Sequence, residues 1–204
     1  MRDMERTHLS AQVVENRARQ SQTTAQLFAG YLRTRVDRAY VDQIIPRTFL
    51  RDDGVKLFSL WGSLYRESFS VQNFWTVNEE PDLTETVRWG AKLDERMRMG
   101  KAAAKVAEAE NNMVGFCYVT DEYSKNKEPF LTIHVREGFR HKGLGRRLME
   151  ATIEDCRGIF DAIKLSVLPK NKNAKELYLK LGFVDIGMND TGKYERMKLE
   201  LRRS

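Results

Sequence analysis

At 204 residues, 41% hydrophobic and 31% charged, the chain can bury one full core with an appended segment but not two ordinary domains. Lys and Arg outnumber Asp and Glu by 35 to 29, a formal charge of +6 that would serve nucleic acid or a polyanionic cofactor equally and that a solvated basic surface also explains. No basic run interleaved with aromatic residues appears, so nucleic acid is not an expected partner. No stretch approaches the roughly 18 apolar residues that a membrane span needs, and Asp3 and Glu5 stand where a secretory signal would be apolar. Cys117 and Cys156 lack a C-x-x-C or Cys/His companion, which fits a reducing, cytoplasmic setting. His8, His134 and His141 are scattered without ligand spacing, so no metal is expected.

Residues 1–38 differ in texture from the rest: every basic side chain before Lys56 is Arg, and Gln, Thr and Ala are frequent. Leu27, Phe28, Tyr31, Leu32 and Val36 recur at helical spacing with Arg33, Arg35 and Arg38 on the other side. The segment reads as a helical extension that packs on the domain's own flank, the alternative being a dimer, partner or membrane-surface helix. Residues 39–204 then form the main domain, and self-association through such a helix would give a homodimer.

The main domain opens on an extended Tyr40 to Ile45 closed by Pro46. Asp52 and Asp53 offer N-cap oxygens to a helix with Leu57, Trp61, Leu64 and Tyr65 on one face. An acidic loop with Glu79, Glu80, Pro81 and Asp82 leads to a second helix from Thr84 or Thr86 to about Met99. Two strands, Ala104 to Ala109 and Met113 to Thr120, form a hairpin across Glu110-Asn111-Asn112, and a third runs from Phe130 to Val135. A helix starts near Gly143 with Leu148, Met149, Ile153, Cys156 and Phe160 at 3.6-residue spacing, and strand Ile163 to Leu168 follows. Ala174, Leu177, Tyr178 and Leu181 mark a helix stopped by Gly182, and strands Phe183 to Met188 and Tyr194 to Leu201 close the chain. Such alternation predicts a mixed α/β architecture around a central sheet.

Arg140-His141-Lys142-Gly143-Leu144-Gly145 lies between a strand and a helix, where glycines let the backbone approach a ligand and free N–H groups attract phosphate. On its own it reads equally as a pyrophosphate cradle or as an ordinary strand-to-helix turn. Leu148 stands where a dinucleotide fingerprint needs glycine, and the Gly-Lys-Ser/Thr of a P-loop is absent.

The loop resembles the [Arg/Gln]-x-x-Gly-x-[Gly/Ala] coenzyme A motif of the GNAT superfamily of N-acetyltransferases, with Val135 ending the preceding strand and Phe139 just before Arg140. A second segment agrees: Val167 through Asn171 and Ala174 to Tyr178, Gly182 and Phe183 is similar to the family's V-x-x-x-N-x-x-A-x-x-x-Y-x-x-x-G-F. The resemblance covers about Ala104 to Leu201, extends more loosely back to Tyr40, and is absent from the first 38 residues or so. It implies a mostly antiparallel sheet of six to seven strands splayed in the middle and flanked by about four helices. It also implies acetyl-CoA as co-substrate, without a metal, and an amine acceptor.

Carried over residue by residue, the resemblance gives the N–H groups from about Lys142 to Arg146 to the pyrophosphate, with Arg140, His141, Gly143, Leu144 and Gly145 in the same loop. The strand backbone at Ile133 and Val135 would pair with the pantetheine. Asn171 and Ala174 match positions at the cofactor arm or the cleft wall, and Tyr178 matches the proton donor to the departing thiolate. The base is not legible: Ser166 and the run Phe130 to Ile133 occupy the places where some members carry Glu, which leaves Glu128 as the nearest carboxylate. His134 falls on the opposite strand face from Ile133 and Val135 and reads as a packed histidine, and His141 faces solvent or phosphate. A water-relayed base is expected. Glu79 and Glu80 stand near the acceptor side in that family, where negative charge would suit a cationic amine. A solvated acidic loop explains them equally well. The competing functional reading is a non-catalytic acyl-CoA-binding or protein-interaction module.

Overall fold

In the computed structural model, residues 36–68, 81–122 and 128–201 are described. They begin with α1 (Arg38–Asp42), although the sequence pattern predicts an extended segment from Tyr40 to Ile45. Two contacts explain the difference. The carboxylate of Asp37, held in extended backbone, accepts the Tyr40 N–H at 2.8 Å as an N-cap. Arg147, more than 100 residues away, donates to the carbonyls of Val41, Asp42 and Ile44 at the other end. Val41 and Ile44 are buried in the core. The strand, β1 (Arg47–Thr48), lies beyond Pro46 and is only two residues long.

After a 3-10 turn (Arg51–Asp53) come α2 (Gly54–Ser68) and α3 (Leu83–Arg98). Asp53 does not cap α2. Its carboxylate accepts the Leu50 N–H at 2.8 Å and pairs with Arg47, which also reaches Glu108 at 2.8 Å, so β1, β2 and the turn are tied together. The cap of α3 is Asp82 rather than either threonine: it accepts the Glu85 N–H at 2.8 Å, while the Thr86 hydroxyl donates back to the Asp82 carbonyl. The remaining elements follow the sequence closely: β2 (Ala102–Ala109), β3 (Asn112–Thr120), β4 (Phe130–Val135), α4 (Leu144–Cys156), β5 (Ala162–Val167), α5 (Lys172–Lys180), β6 (Val184–Met188) and β7 (Glu195–Glu200).

The seven strands run in the order β1-β2-β3-β4-β5-β7-β6, antiparallel throughout except for β4 beside β5. Every residue of β3 is buried, because helices cover both faces of the sheet there. On one face α4 and α5 pack on Cys117, Val119, Leu131, Leu165 and Met197. On the other, α2 and α3 bring Leu57, Leu60 and Leu93 onto Ala104, Val106, Phe116 and Tyr118, with Trp89 edge-on to both aromatic rings.

Helices α2 and α3 cross almost backbone to backbone. A Cβ at Gly54 would stand 3.0 Å from the Val87 Cα, and one at Gly90 would stand 3.2 Å from the Gly54 Cα. Alanine is intrinsically better than glycine in a helix by about 1 kcal/mol. Overpacking against main chain, which cannot move aside, costs about 1–3 kcal/mol. Gly54→Ala is therefore expected to lower the unfolding free energy in urea titration despite its better helix propensity.

Candidate active site

The parallel pair β4–β5 is joined at a single position, Phe130 opposite Lys164, where the Lys164 N–H donates to the Pro129 carbonyl at 2.9 Å. Beyond that point no further residues pair, so the sheet opens as a wedge toward Val135 and Val167. The Arg136 N–H donates to Val114, which fixes the phase of the β3–β4 ladder. Positions 130, 132 and 134 exchange hydrogen bonds with β3, whereas the N–H and C=O groups of Ile133 and Val135 face the wedge. An extended ligand arm entering the opening meets the N–H and C=O of Ile133 and the N–H of Val135, while the Val135 carbonyl already accepts from Arg140.

At the mouth of the wedge, the 3-10 turn Glu137–Phe139 buries Phe139 and delivers the chain to Arg140. His141 has φ 60° and Gly143 φ 87°, so the backbone turns through left-handed conformations just before α4. Gly143 is the N-cap of α4 and has no side chain to offer it; the first main-chain bond is from Arg147 N–H to Gly143 C=O at 3.2 Å. The N–H groups of Leu144, Gly145 and Arg146 thus have no partner within the helix and stand at the positive end of a thirteen-residue α4, where an anion is favoured. A Cβ at Gly145 would stand 3.7 Å from the side chains of Ile133 and Val135, which puts this turn of helix directly against the open edge of β4. Gly115 on β3 lets α4 come so close: a Cβ there would lie 2.6 Å from the Leu148 Cδ1. The Arg140 Nε donates to the Val135 carbonyl at 2.7 Å, and the Lys142 Nζ to the Gly138 carbonyl at 2.9 Å. Arg146 pairs with Glu150 at 2.8 Å. The loop is therefore cationic, glycine-bearing and helix-headed, which fits the diphosphate of coenzyme A.

Tyr178 on α5 is buried on the α4/α5 side, in the same cluster as Cys117, Val167, Ile133 and Val135, with its ring 6.0 Å from that of Phe183. Burial, and secondarily the neighbouring Cys117, push its hydroxyl well above the usual tyrosine range, so it stays protonated at neutral pH. Asn171 caps α5, accepting the Ala174 N–H at 3.2 Å, and this anchors the chain where it leaves β5. Ala174 is half-buried beside the same cluster.

Glu128 stands apart from these residues. Its carboxylate meets Lys164 Nζ at 2.5 Å at the closed end of the wedge, roughly 16 Å of strand from Val135. Glu79 and Glu80 lie outside the described residues. His134 is buried, as strand alternation predicted. Arg147 is a residue that sequence reasoning missed, since nothing local marks an arginine in α4 as the clasp that holds α1.

The match to known proteins agrees with this geometry. Residues 57–183, more than half of the chain, match the model of the acetyltransferase (GNAT) family. No curated protein sequence matches the chain. Among solved structures, ribosomal-protein-alanine N-acetyltransferase from Brucella melitensis superposes with a TM-score of 0.63 at 21% identity, covering 77% of this chain and 99% of that one. A GNAT phosphinothricin acetyltransferase from Sinorhizobium meliloti, in complex with acetyl-CoA, gives 0.62 at 20% identity over 78% and 88%. A chimera of the Vibrio cholerae spermidine N-acetyltransferase gives 0.55 at 19% over 78% and 96%. A split sheet with a phosphate-type loop at its mouth, on a chain that matches the family model across both motifs, makes this protein a member of the GNAT acetyltransferase family.

Proposed function

We propose that the protein moves the acetyl group of acetyl-CoA to a primary amine by direct attack within a ternary complex, and that the loop from Arg140 to Arg146, the β4 edge and Tyr178 carry the reaction. The observation behind this is the placement of Tyr178 in the same cluster as the side chains of Ile133 and Val135, whose backbone groups face the wedge. Acetyl-CoA supplies an activated acyl group. The chain's own groups hold the diphosphate at the N-terminus of α4, pair the arm with β4, and offer the thiolate a proton from Tyr178.

An alkylammonium with a pKa near 10.4 is neutral only about once in a few thousand molecules at pH 7, so the amine must lose a proton before it attacks. The acceptor class, a cationic small molecule or a protein or peptide amine, is open to a direct screen. Thiol release from acetyl-CoA would be measured with spermidine, phosphinothricin, aminoglycosides and a peptide with N-terminal alanine. Release with one class identifies the acceptor chemistry. Stabilisation by acetyl-CoA without release to any amine would favour a non-catalytic acyl-CoA-binding module.

We place the domain's start at residue 36, because Val36 packs on the core and Asp37 caps α1. Removal of residues 1–35 is expected to leave acetyl-CoA binding, read by calorimetry, unchanged, while light scattering reports any change in oligomeric state. A folded truncation that no longer binds acetyl-CoA would assign the extension to the cofactor site.

A further inference from the structure

The face of β3 and β4 that carries α2 and α3 presents, beside the wedge, Phe116, Tyr118, Phe130, Thr132 and His134. Among these only His134 has a nitrogen lone pair. It directly precedes Val135, whose backbone faces the wedge, and lies opposite Phe116. It is only 8% exposed, yet its Nε2 has no hydrogen-bond partner among the described residues. A buried polar atom left so costs about 1–3 kcal/mol, and such groups are rare without a reason. Glu128, the carboxylate nearest in sequence, is held by Lys164 at the closed end of the wedge.

We propose, on the reading of the protein as an amine acetyltransferase, that the unpartnered Nε2 of His134 receives the acceptor amine. In the tautomer with its hydrogen on Nδ1, it accepts a hydrogen bond from the amine N–H and aims the nitrogen lone pair at the thioester carbonyl. As the C–N bond forms and the C–S bond breaks, the surplus proton of the new amide nitrogen passes to Nε2 and on to water. The thiolate departs against the Tyr178 hydroxyl, which donates it a hydrogen bond, and takes its proton from water, so free thiol and amide are the products. Burial, and secondarily the positive charge of Arg140, hold the imidazole down to about 4. The lone pair is therefore available throughout the neutral range and passes its proton on readily.

The test uses the full chain with acetyl-CoA and three probe amines: propylamine, spermidine and a peptide with N-terminal alanine. His134→Gln and His134→Ala are each compared with the parent for thiol release and for the rise in Tm given by acetyl-CoA. The expected result is an unchanged Tm rise, an unchanged KM for acetyl-CoA and a fall in kcat of about 10²-fold or more. Added imidazole should restore part of the rate to His134→Ala and none to the parent, which a merely structural role would not produce. His134→Gln with the parent's kcat overturns the role of His134, whereas a parent that gains Tm with acetyl-CoA but releases no thiol to any amine overturns the reading of the protein as an amine acetyltransferase. The absence of any Tm rise with acetyl-CoA in the parent overturns that same reading.

Discussion

Gly145→Asp is expected to abolish the rise in Tm that acetyl-CoA gives the parent protein. A ligand that binds only the folded state stabilises it by about 2.7 kcal/mol at a hundred times its Kd. For a domain of this size each kcal/mol moves Tm by about 2–4 °C, so the parent should gain several degrees. The Asp side chain has room, because a Cβ at this position meets only Ile133 and Val135 at 3.7 Å. A carboxylate in the first turn of α4 is even favourable to the helix by about 0.3–1 kcal/mol. The variant therefore folds, and its negative charge stands where the diphosphate would, turning an attraction into a repulsion. Gly143→Asp should lose the shift as well, with an added stability penalty because φ 87° favours glycine. Gly145→Ala, without the charge, is the control expected to keep most of the shift. If Gly145→Asp is folded and gains as many degrees as the parent, the loop does not hold the diphosphate.

The parts of the fold read correctly from sequence are those in which local pattern and tertiary demand agree. The strand Phe130–Val135 was bounded to the residue, because its alternation is uninterrupted and a charged, glycine-containing turn ends it. Helix α4 begins one residue after Gly143, as a glycine before an apolar 3.6-residue repeat suggests. The region before Gly54 failed for the opposite reason. Tyr40 to Ile45 has the β-branched look of a strand, but the short helix there is fixed by Asp37 and by Arg147 from a distant element. Asp53 looked like a cap because caps are local, whereas its real partner, Arg47, is chosen by the pairing of β1 with β2.

The candidate site divides along the same line. The glycine loop and Tyr178 were legible through two motifs with a fixed spacing. The openness of the β4–β5 pair was implied only by resemblance, since nothing in either strand's own sequence says that pairing stops after Phe130 and Lys164. The unpartnered nitrogen of His134 could not be foreseen at all: burial follows from alternation, but the absence of a partner depends on what the facing elements fail to offer.

Tyr178→Phe is expected to lower turnover by about 10²-fold while leaving the KM for acetyl-CoA nearly unchanged, toward the lower end of what acid–base residues contribute. The ring keeps its place against Phe183, so only the hydroxyl is lost and the fold should survive. Two effects bound the size of the loss. A free thiol has a pKa near 8.5, so thiolate is already a fair leaving group at neutral pH. Burial also holds the Tyr178 hydroxyl far above that value, so complete proton transfer to sulfur is uphill, and the hydroxyl acts chiefly by donating a hydrogen bond as charge develops. The direction with pH follows from the same comparison. As pH falls, solvent supplies protons more readily and the ratio of parent to variant rates should shrink, although both rates fall together as the acceptor amine becomes protonated. The decisive measurement is the single-turnover rate, which separates chemistry from product release. A variant whose single-turnover rate equals the parent's returns Tyr178 to the core as a packing residue and leaves the thiolate to be protonated by water alone.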